Sequence, residues 1–229
     1  EDPVDPGNGL QVAPGPMMYT WELQQGLNPN FIGTSGPSFD HTLQNSNGTY
    51  VMTISDVGQN NEPTLLISQC IDLQNTISPE MSYWYHMFGA DPSLMGNLYL
   101  QINDDFGWVS IDSLKGADPD HIRNSSPWKE RKIDLSQYAG KVIKFRFISF
   151  RGSGPMSNMG IDDISIYDLA PSDAAAHALI RPNEKRWSCY TDTQSVRVAV
   201  RNNGSLPIDF DLDTLDIQVN IKKNGLPWD

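Results

Sequence analysis

The sequence predicts an all-β protein, built as an antiparallel sandwich or barrel. Three observations lead there. Short β-prone runs recur along the chain, each bounded by breaks rich in Gly, Pro, Asn, Asp and Ser. One run, Val142-Ile143-Lys144-Phe145-Arg146-Phe147-Ile148, alternates with period two. Ile143, Phe145, Phe147 and Ser149 fall on one face; Val142, Lys144, Arg146 and Ile148 fall on the other, as in a half-buried strand of a two-layer sheet. No window of about 11 residues combines helical apolar spacing with caps, so helical crossovers are not expected.

Taken in order, residues 1–20 are rich in Pro and Gly and read as an extended lead-in. From Trp21 onward, strands are expected at 48–54, 64–67, 81–87, 97–102, 128–134, 142–150 and 160–167. Asn103-Asp104-Asp105-Phe106-Gly107 reads as a hairpin turn. The character shifts near 169–181, where residues 172–179, with Ala174, Ala175 and Ala176, lean toward helix or serve as a linker. Residues 195–204 form a strand running into an Asn-Gly turn. A further strand is expected at 215–221, with Ile217, Val219 and Ile221 on one face. So few strands cannot close a sandwich of the immunoglobulin size, about 100 residues. The expected organisation is therefore an N-terminal segment (1–20), a main β-domain (21–169), and a linker with the start of a truncated second β-domain (170–229). The remainder of a longer polypeptide is implied.

At 229 residues the chain can bury one sizeable core and a smaller partner. Its net charge of −12 and pI near 4.6 argue against nucleic acid, whose phosphates need a basic surface, and against anionic membranes. The same charge suits divalent cations, or simply solubility. No run approaches the ~18 apolar residues that span a bilayer, so direct membrane insertion is not expected. Glu1-Asp2-Pro3 reads as a mature N-terminus. Cys70 and Cys189 could form one long-range disulfide or stay unbonded, and their spacing excludes a Cys-rich zinc site.

Ordered motifs then carry a resemblance. They are Gly36-Pro37-Ser38-Phe39-Asp40-His41-Thr42, Gly48-Thr49-Tyr50-Val51, Thr64-Leu65-Leu66-Ile67-Ser68, and Ser82-Tyr83-Trp84-Tyr85-His86-Met87-Phe88-Gly89. Asn97-Leu98-Tyr99-Leu100, Trp128-Lys129-Glu130 with Ile133-Asp134-Leu135, and Gly160-Ile161-Asp162-Asp163-Ile164-Ser165 follow. From about Trp21 to Asp168 this series resembles the MAM domain, the extracellular module of meprin-type proteases and receptor phosphatases. The family's cysteine before the Ser82 strand is absent, where Ser78-Pro79-Glu80-Met81 stand, and so is the one beside the first Trp. Its disulfides therefore do not carry over. The pattern resembles a bacterial MAM-like module of a large secreted or cell-surface protein, and the second part resembles an immunoglobulin-like repeat. The resemblance implies a two-sheet jelly roll, an extracellular adhesion or recognition role toward a protein or glycan ligand, and no catalysis.

Two acidic residues are the candidate metal ligands. A strand from Gly160 would place Asp162 with Ile164 and Ile166 on an apolar face, and Asp163 on the other. A buried carboxylate must be paired, hydrogen-bonded or bound to a cation. Asp162 is thus a candidate ligand for a structural calcium ion, which collects hard oxygens from several loops. Its alternative is a carboxylate held by backbone N–H groups or by Arg or Lys. Asp40, in a Gly/Pro/Ser-rich loop behind Phe39, is the second candidate, with an Asx-turn as its alternative. Asn28, Asn30 and Asp56 are weaker candidates. His41 and His86 lack a ligand partner at zinc spacing and read as structural.

Trp108 and Tyr99 are the candidate binding aromatics, a sugar platform if both point outward from a sheet; Trp84 and Trp128 read as core. A carbohydrate-binding accessory module of a secreted hydrolase or protease is the second functional expectation. No Gly-x-Ser-x-Gly elbow or other motif nominates a catalytic triad, and Asp104-Asp105 reads as a solvated turn.

Overall fold

A computed structural model describes residues 10–12, 19–31, 34–104, 106–169, 173–181, 196–204, 206–209, 222–223 and 226–227. In chain order the main strands are β1 (Leu10–Val12), β2 (Thr20–Gln25), β3 (Thr49–Ile54), β4 (Pro63–Ser68), β5 (Ile71–Asp72) and β6 (Pro79–His86). They continue with β7 (Asn97–Asn103), β8 (Trp108–Lys115), β9 (Lys129–Asp134), β10 (Val142–Phe150) and β11 (Gly160–Asp168). These strands make two antiparallel sheets. One runs β1-β4-β10-β7-β8, with β5 paired to the start of β10; the other runs β2-β3-β11-β6-β9. Apart from the consecutive pairs β7–β8 and β2–β3, neighbours in each sheet come from distant parts of the sequence, as in a jelly roll. The all-β, two-sheet expectation holds.

The core lies between the sheets and follows the period-two alternation. From one side come Leu66, Leu98, Leu100, Ile102, Ile143, Phe145 and Phe147; from the other come Met81, Tyr83, Tyr85 and Ile161. Tyr83 meets Phe147 edge to face at 5.0 Å between ring centroids. Near the β8–β9 edge, Tyr83 and Arg131 of one sheet both donate to Asp112 of the other, at 2.7 and 2.9 Å. Burial would raise the Asp112 pKa, but these donors outweigh it and hold the carboxyl below its ordinary range.

Four expectations change. The lead-in supplies strand β1, which pairs with β4. Strands β2 and β8 were not expected. In β2 only Trp21 is buried, while Leu23 is 48% exposed, so the strand shows little alternation. In β8 a register shift opposite Leu100 and Gln101 breaks the pattern. The alanine-rich stretch is strand β12 (Ala174–Arg181), paired with β13 (Arg197–Asn202). Alanine favours helix, but the run is short and uncapped, and the ladder with β13 overrides that weak preference.

The chain divides into two units, 1–168 and 169–229. In the second, the described strands are the β12–β13 pair and a short pair, β14 (Lys222–Lys223) with β15 (Leu226–Pro227). These do not identify an immunoglobulin-like domain. The strand expected at 215–221 lies outside the described residues, as does Cys189; Cys70 is an exposed free thiol.

Candidate functional site

The outer face of the five-stranded sheet is covered. On β3 the outward residues are Tyr50, Met52 and Ile54, and on β6 they include Trp84 and His86. With Trp128 and Phe39 most of these form a second apolar cluster, separate from the main core. The segment 34–43 lies across them and is tied down from several strands. Trp128 Nε1 donates to the Phe39 carbonyl at 3.0 Å, and Tyr50 Oη to the Pro37 carbonyl at 3.1 Å. The Asn124 amide donates to the carbonyls of Ser35 and Gly36. Gly160 sits beneath this lid; a Cβ there would stand 2.8 Å from the Trp128 ring and 2.9 Å from Pro37. Trp84 and Trp128 are thus buried or half-buried as expected, but in this outer cluster.

The segment also carries the candidate ligands. Asp40 is 2% exposed, and its Oδ2 accepts the Leu43 amide at 2.7 Å, capping the turn. Its Oδ1 is buried without a hydrogen-bond partner. A Cβ at Gly48 would lie 1.9 Å from the Asp40 carboxyl carbon, so a glycine is required there for the carboxylate to fit. Asp162 accepts the His41 amide at 2.7 Å and the Asp163 amide at 2.9 Å. Burial raises its pKa, reinforced by the charges of Asp163 and Asp40, against those two hydrogen bonds. Asp163 accepts His41 Nδ1 at 2.6 Å and Thr42 Oγ1 at 2.7 Å. The His41 ring stacks on Trp84 at 3.6 Å. Because Thr42 donates to the carboxylate and not to the imidazole, this trio is not a nucleophile–base relay.

The expected grouping of Asp162 with Ile164 and Ile166 is corrected. A β-bulge between Asp162 and Ser165, with Asp163 at φ 44°, resets the alternation. Ile161, Ile164 and Ile166 all pack on the main core, whereas Asp162 lies on the opposite face, under the covering segment. Sequence alternation alone cannot foresee an inserted residue. Among the described residues no group of three or more His, Cys, Asp or Glu side chains is arranged to hold a metal. Asp40 and Asp162 share one locality. The amide of Asn28 donates to Gln24 and its Oδ1 accepts the Asn30 amide, a local turn; Asp56 is exposed.

His86 is fully buried, and neither ring nitrogen has a hydrogen-bond partner. It stacks on His121 at 4.4 Å and meets Trp128 edge to face at 5.6 Å. Burial, with His121 beside it, pushes its pKa down to about 3. His121 accepts the Met87 amide at Nδ1, fixing the chain after β6.

Among the described residues of the first unit, the outer face of the six-stranded sheet carries no such covering segment, and its residues are half-buried or exposed except Ile148. Cross-strand neighbours form rows there. Lys144, Asn103 and Trp108 make the first; Ile67, Arg146, Gln101 and Ser110 the second. Leu65, Ile148, Tyr99 and Ser113 make the third; Pro63, Phe150, Asn97 and Lys115 the fourth. Tyr99 and Trp108 are half-buried and share this face. Tyr99 meets Phe150 edge to face at 5.7 Å, and the Arg146 guanidinium lies 4.1 Å over the Trp108 ring. Arg146 Nε and Nη2 both donate to Gln101 Oε1, at 2.9 and 2.7 Å, and Gln101 donates to Ser110. Sequence reasoning singled out the two aromatics but not Arg146 and Gln101, although the alternation of β10 already put Arg146 on the outward face. Phe106, at the β7–β8 hairpin tip, is 91% exposed.

Solved structures with a similar fold include the K1 cleaved adhesin domain of Lys-gingipain from Porphyromonas gingivalis W83, at 16% identity and TM-score 0.47, covering 70% of this chain and 91% of that one. Another is TmCBM61 in complex with β-1,4-galactotriose, at 14% identity and TM-score 0.36, covering 65% and 88%. A third is the CBM22-1-GH10 modules of endo-1,4-β-D-xylanase 10B from Clostridium thermocellum, at 12% identity and TM-score 0.41, covering 74% and 28%. Residues 16–170 match the family described as MAM domain, meprin/A5/mu, and the chain belongs to that family.

Proposed function

We propose that this chain is a non-catalytic recognition module of a larger secreted or cell-surface protein, acting in adhesion by presenting a rigid sandwich to a protein or glycan ligand. Family membership supports the extracellular binding role. The observation that carries the reading is the contrast between one covered outer face and one open face bearing Tyr99 and Trp108. Rigid sheet positions hold such aromatics with little entropy loss on binding.

The glycan form of this reading, a carbohydrate-binding accessory module, is favoured by the same two rings, which share the outward side of adjacent strands. Half-buried aromatic faces interleaved with amides and hydroxyls suit sugars, which have apolar C–H faces and polar rims. Beads coated with the whole chain should adhere to glycan-bearing surfaces, and a Tyr99→Ala/Trp108→Ala double variant should lose most of that adhesion. Adhesion unchanged in the double variant would remove this face from the reading.

We also propose a structural calcium ion at Asp40 and Asp162. The unpartnered, buried Asp40 Oδ1 and the raised pKa of Asp162 support it, since a cation would relieve both. Calcium binding only the folded state should raise the melting temperature, by about 2.7 kcal/mol of stability at 100 times Kd. EDTA should reverse the gain. Identical melting curves with and without chelator, for wild type and Asp162→Ala alike, would refute the ion.

A further inference from the structure

Most of the open face carries a charge pattern opposite to that of the whole chain; the exception is Asp72 of β5, paired with Val142 in the row beyond Lys144. The protein has 28 acidic and 16 basic residues, yet the four rows described above contain no carboxylate and three cations: Lys144, Arg146 and Lys115. Lys144 and Arg146 occupy successive outward positions of β10, about 7 Å apart along the strand. Neither forms an ion pair with a described residue.

Arg146 is pre-organised. Gln101 takes two of its five N–H groups on a single oxygen, and the Trp108 ring supports its plane. The other N–H groups, on the two terminal nitrogens, remain available to an incoming anion in fork geometry. Its partial burial without a carboxylate partner is a standing desolvation cost, visible as a lowered pKa. A bound anion would offset that cost.

We infer that this face binds a polysaccharide bearing carboxylates, a uronic-acid polymer, with Arg146 taking a carboxylate and Trp108 and Tyr99 supplying ring surface to the sugars. The inference rests on the glycan form of the proposed function. A protein ligand would call for a dry apolar centre. Here the apolar row of Leu65, Ile148 and Tyr99 lies directly beside the Arg146 guanidinium and the Gln101 amide, with Asn103, Ser110 and Ser113 around them, a mixture that a polar polymer can meet sugar by sugar.

The test uses the whole chain in titration calorimetry against polygalacturonate, its methyl ester, neutral galactan and a sulfated galactan. Polygalacturonate should bind about 10-fold or more tighter than its methyl ester, which keeps the sugar and removes the charge. Arg146→Gln should lower polygalacturonate affinity by about 10-fold or more and leave galactan affinity within about 2-fold. Arg146→Lys should restore only part of the loss, because a point charge lacks the fork. Melting curves check that each variant folds; Lys144→Gln, giving a smaller drop, serves if Arg146→Gln does not.

Equal affinity for acid and ester, or an Arg146→Gln variant that binds polygalacturonate like wild type, would overturn the inference. Tighter binding of the sulfated galactan would overturn the carboxylate assignment. Binding of neutral galactan alone would defeat the inference and leave the glycan reading standing, whereas binding of none of the four would defeat both.

Discussion

The two outer faces of this sandwich have opposite fates. On the five-stranded sheet, segment 34–43 closes over Tyr50, Trp84, His86 and Trp128, and five of the seven motifs that mark the family lie in that segment or on that sheet. On the six-stranded sheet, Tyr99, Gln101, Trp108 and Arg146 stand on an open surface and belong to no motif of comparable strength. The difference shows how the two needs separate. Closing a lid over a sheet demands particular shapes, such as a glycine under a tryptophan or an aspartate capping a turn. A ligand face demands only outward residues of the right chemistry on strands already formed.

The largest expected contrast compares one tryptophan from each face. Trp128→Ala would open a cavity in the covered cluster and free the Phe39 carbonyl. It should cost about 3–5 kcal/mol, a drop of about 10 °C in melting temperature for a domain of this size. Trp108→Ala should cost about 1 kcal/mol or less, because it loses mainly the stack with Arg146. Thermal unfolding of the two variants side by side checks this. Equal losses would mean that the six-stranded face is also structural, and the comparison would fail.

Legibility in the sequence follows the same division. Strands β10 and β11 were visible because their alternation or motif is strong, and β6 because its inward positions 81, 83 and 85 repeat at period two. Strand β8 was hidden by its own bulge, and β2 by an outward leucine. Asp40 and Asp162 lie in one neighbourhood, but the grouping of Asp162 with Ile164 and Ile166 does not hold. The bulge at Asp163 puts the Ile164 and Ile166 side chains on the face opposite Asp162, and no local pattern encodes it. The partner of Asp163, His41, lies 122 residues away in sequence, so only the folded chain joins them. The role of Gly160 is similar: its neighbours Pro37 and Trp128 come from two other segments.

The covered face should also be the acid-sensitive one. His86 has an ordinary pKa near 6.5 when unfolded and about 3 when folded. The unfolded chain therefore binds more protons between those values, and the folded state loses stability as pH falls through that window. Near the middle of the window the loss should approach about 1.4 kcal/mol per pH unit. His121, also lowered by burial, adds in the same direction. Asp118 acts only at lower pH. Lys129 and Tyr85 outweigh its burial and hold it at about 2, so its contribution is present above the ordinary carboxylate pKa and lost below it. Denaturant titrations between pH 4.5 and 6.5 read the histidines against Asp162, whose pKa burial raises and which therefore acts in the opposite direction. His86→Phe keeps an aromatic ring against Trp128 and removes the proton site, so its stability should vary less with pH across that range. A slope unchanged from wild type would exclude His86 as the source. Variants of the open face should leave the wild-type slope intact, since the four rows contain no histidine.

The smallest expected effect tests where the closure ends. His41 is the outermost anchor of the covering segment, stacked on Trp84 and bonded to Asp163, with 23% of its side chain exposed. A partly exposed stack and hydrogen bond of this kind contribute little, so His41→Ala should cost about 1 kcal/mol. Gln101→Ala, the matching polar support on the open face, should change stability by about 0.5 kcal/mol or less, since Arg146 then turns its N–H groups to water. The pair separates by function as well as by stability. His41→Ala should leave polysaccharide binding unchanged, because its contacts lie on the other sheet. Gln101→Ala should weaken binding of polygalacturonate while barely moving the melting temperature, because the guanidinium loses the group that fixes its plane. If His41→Ala weakened binding and Gln101→Ala did not, the ligand would sit on the motif-bearing face, and the division between a closed structural side and an open binding side would have to be reversed.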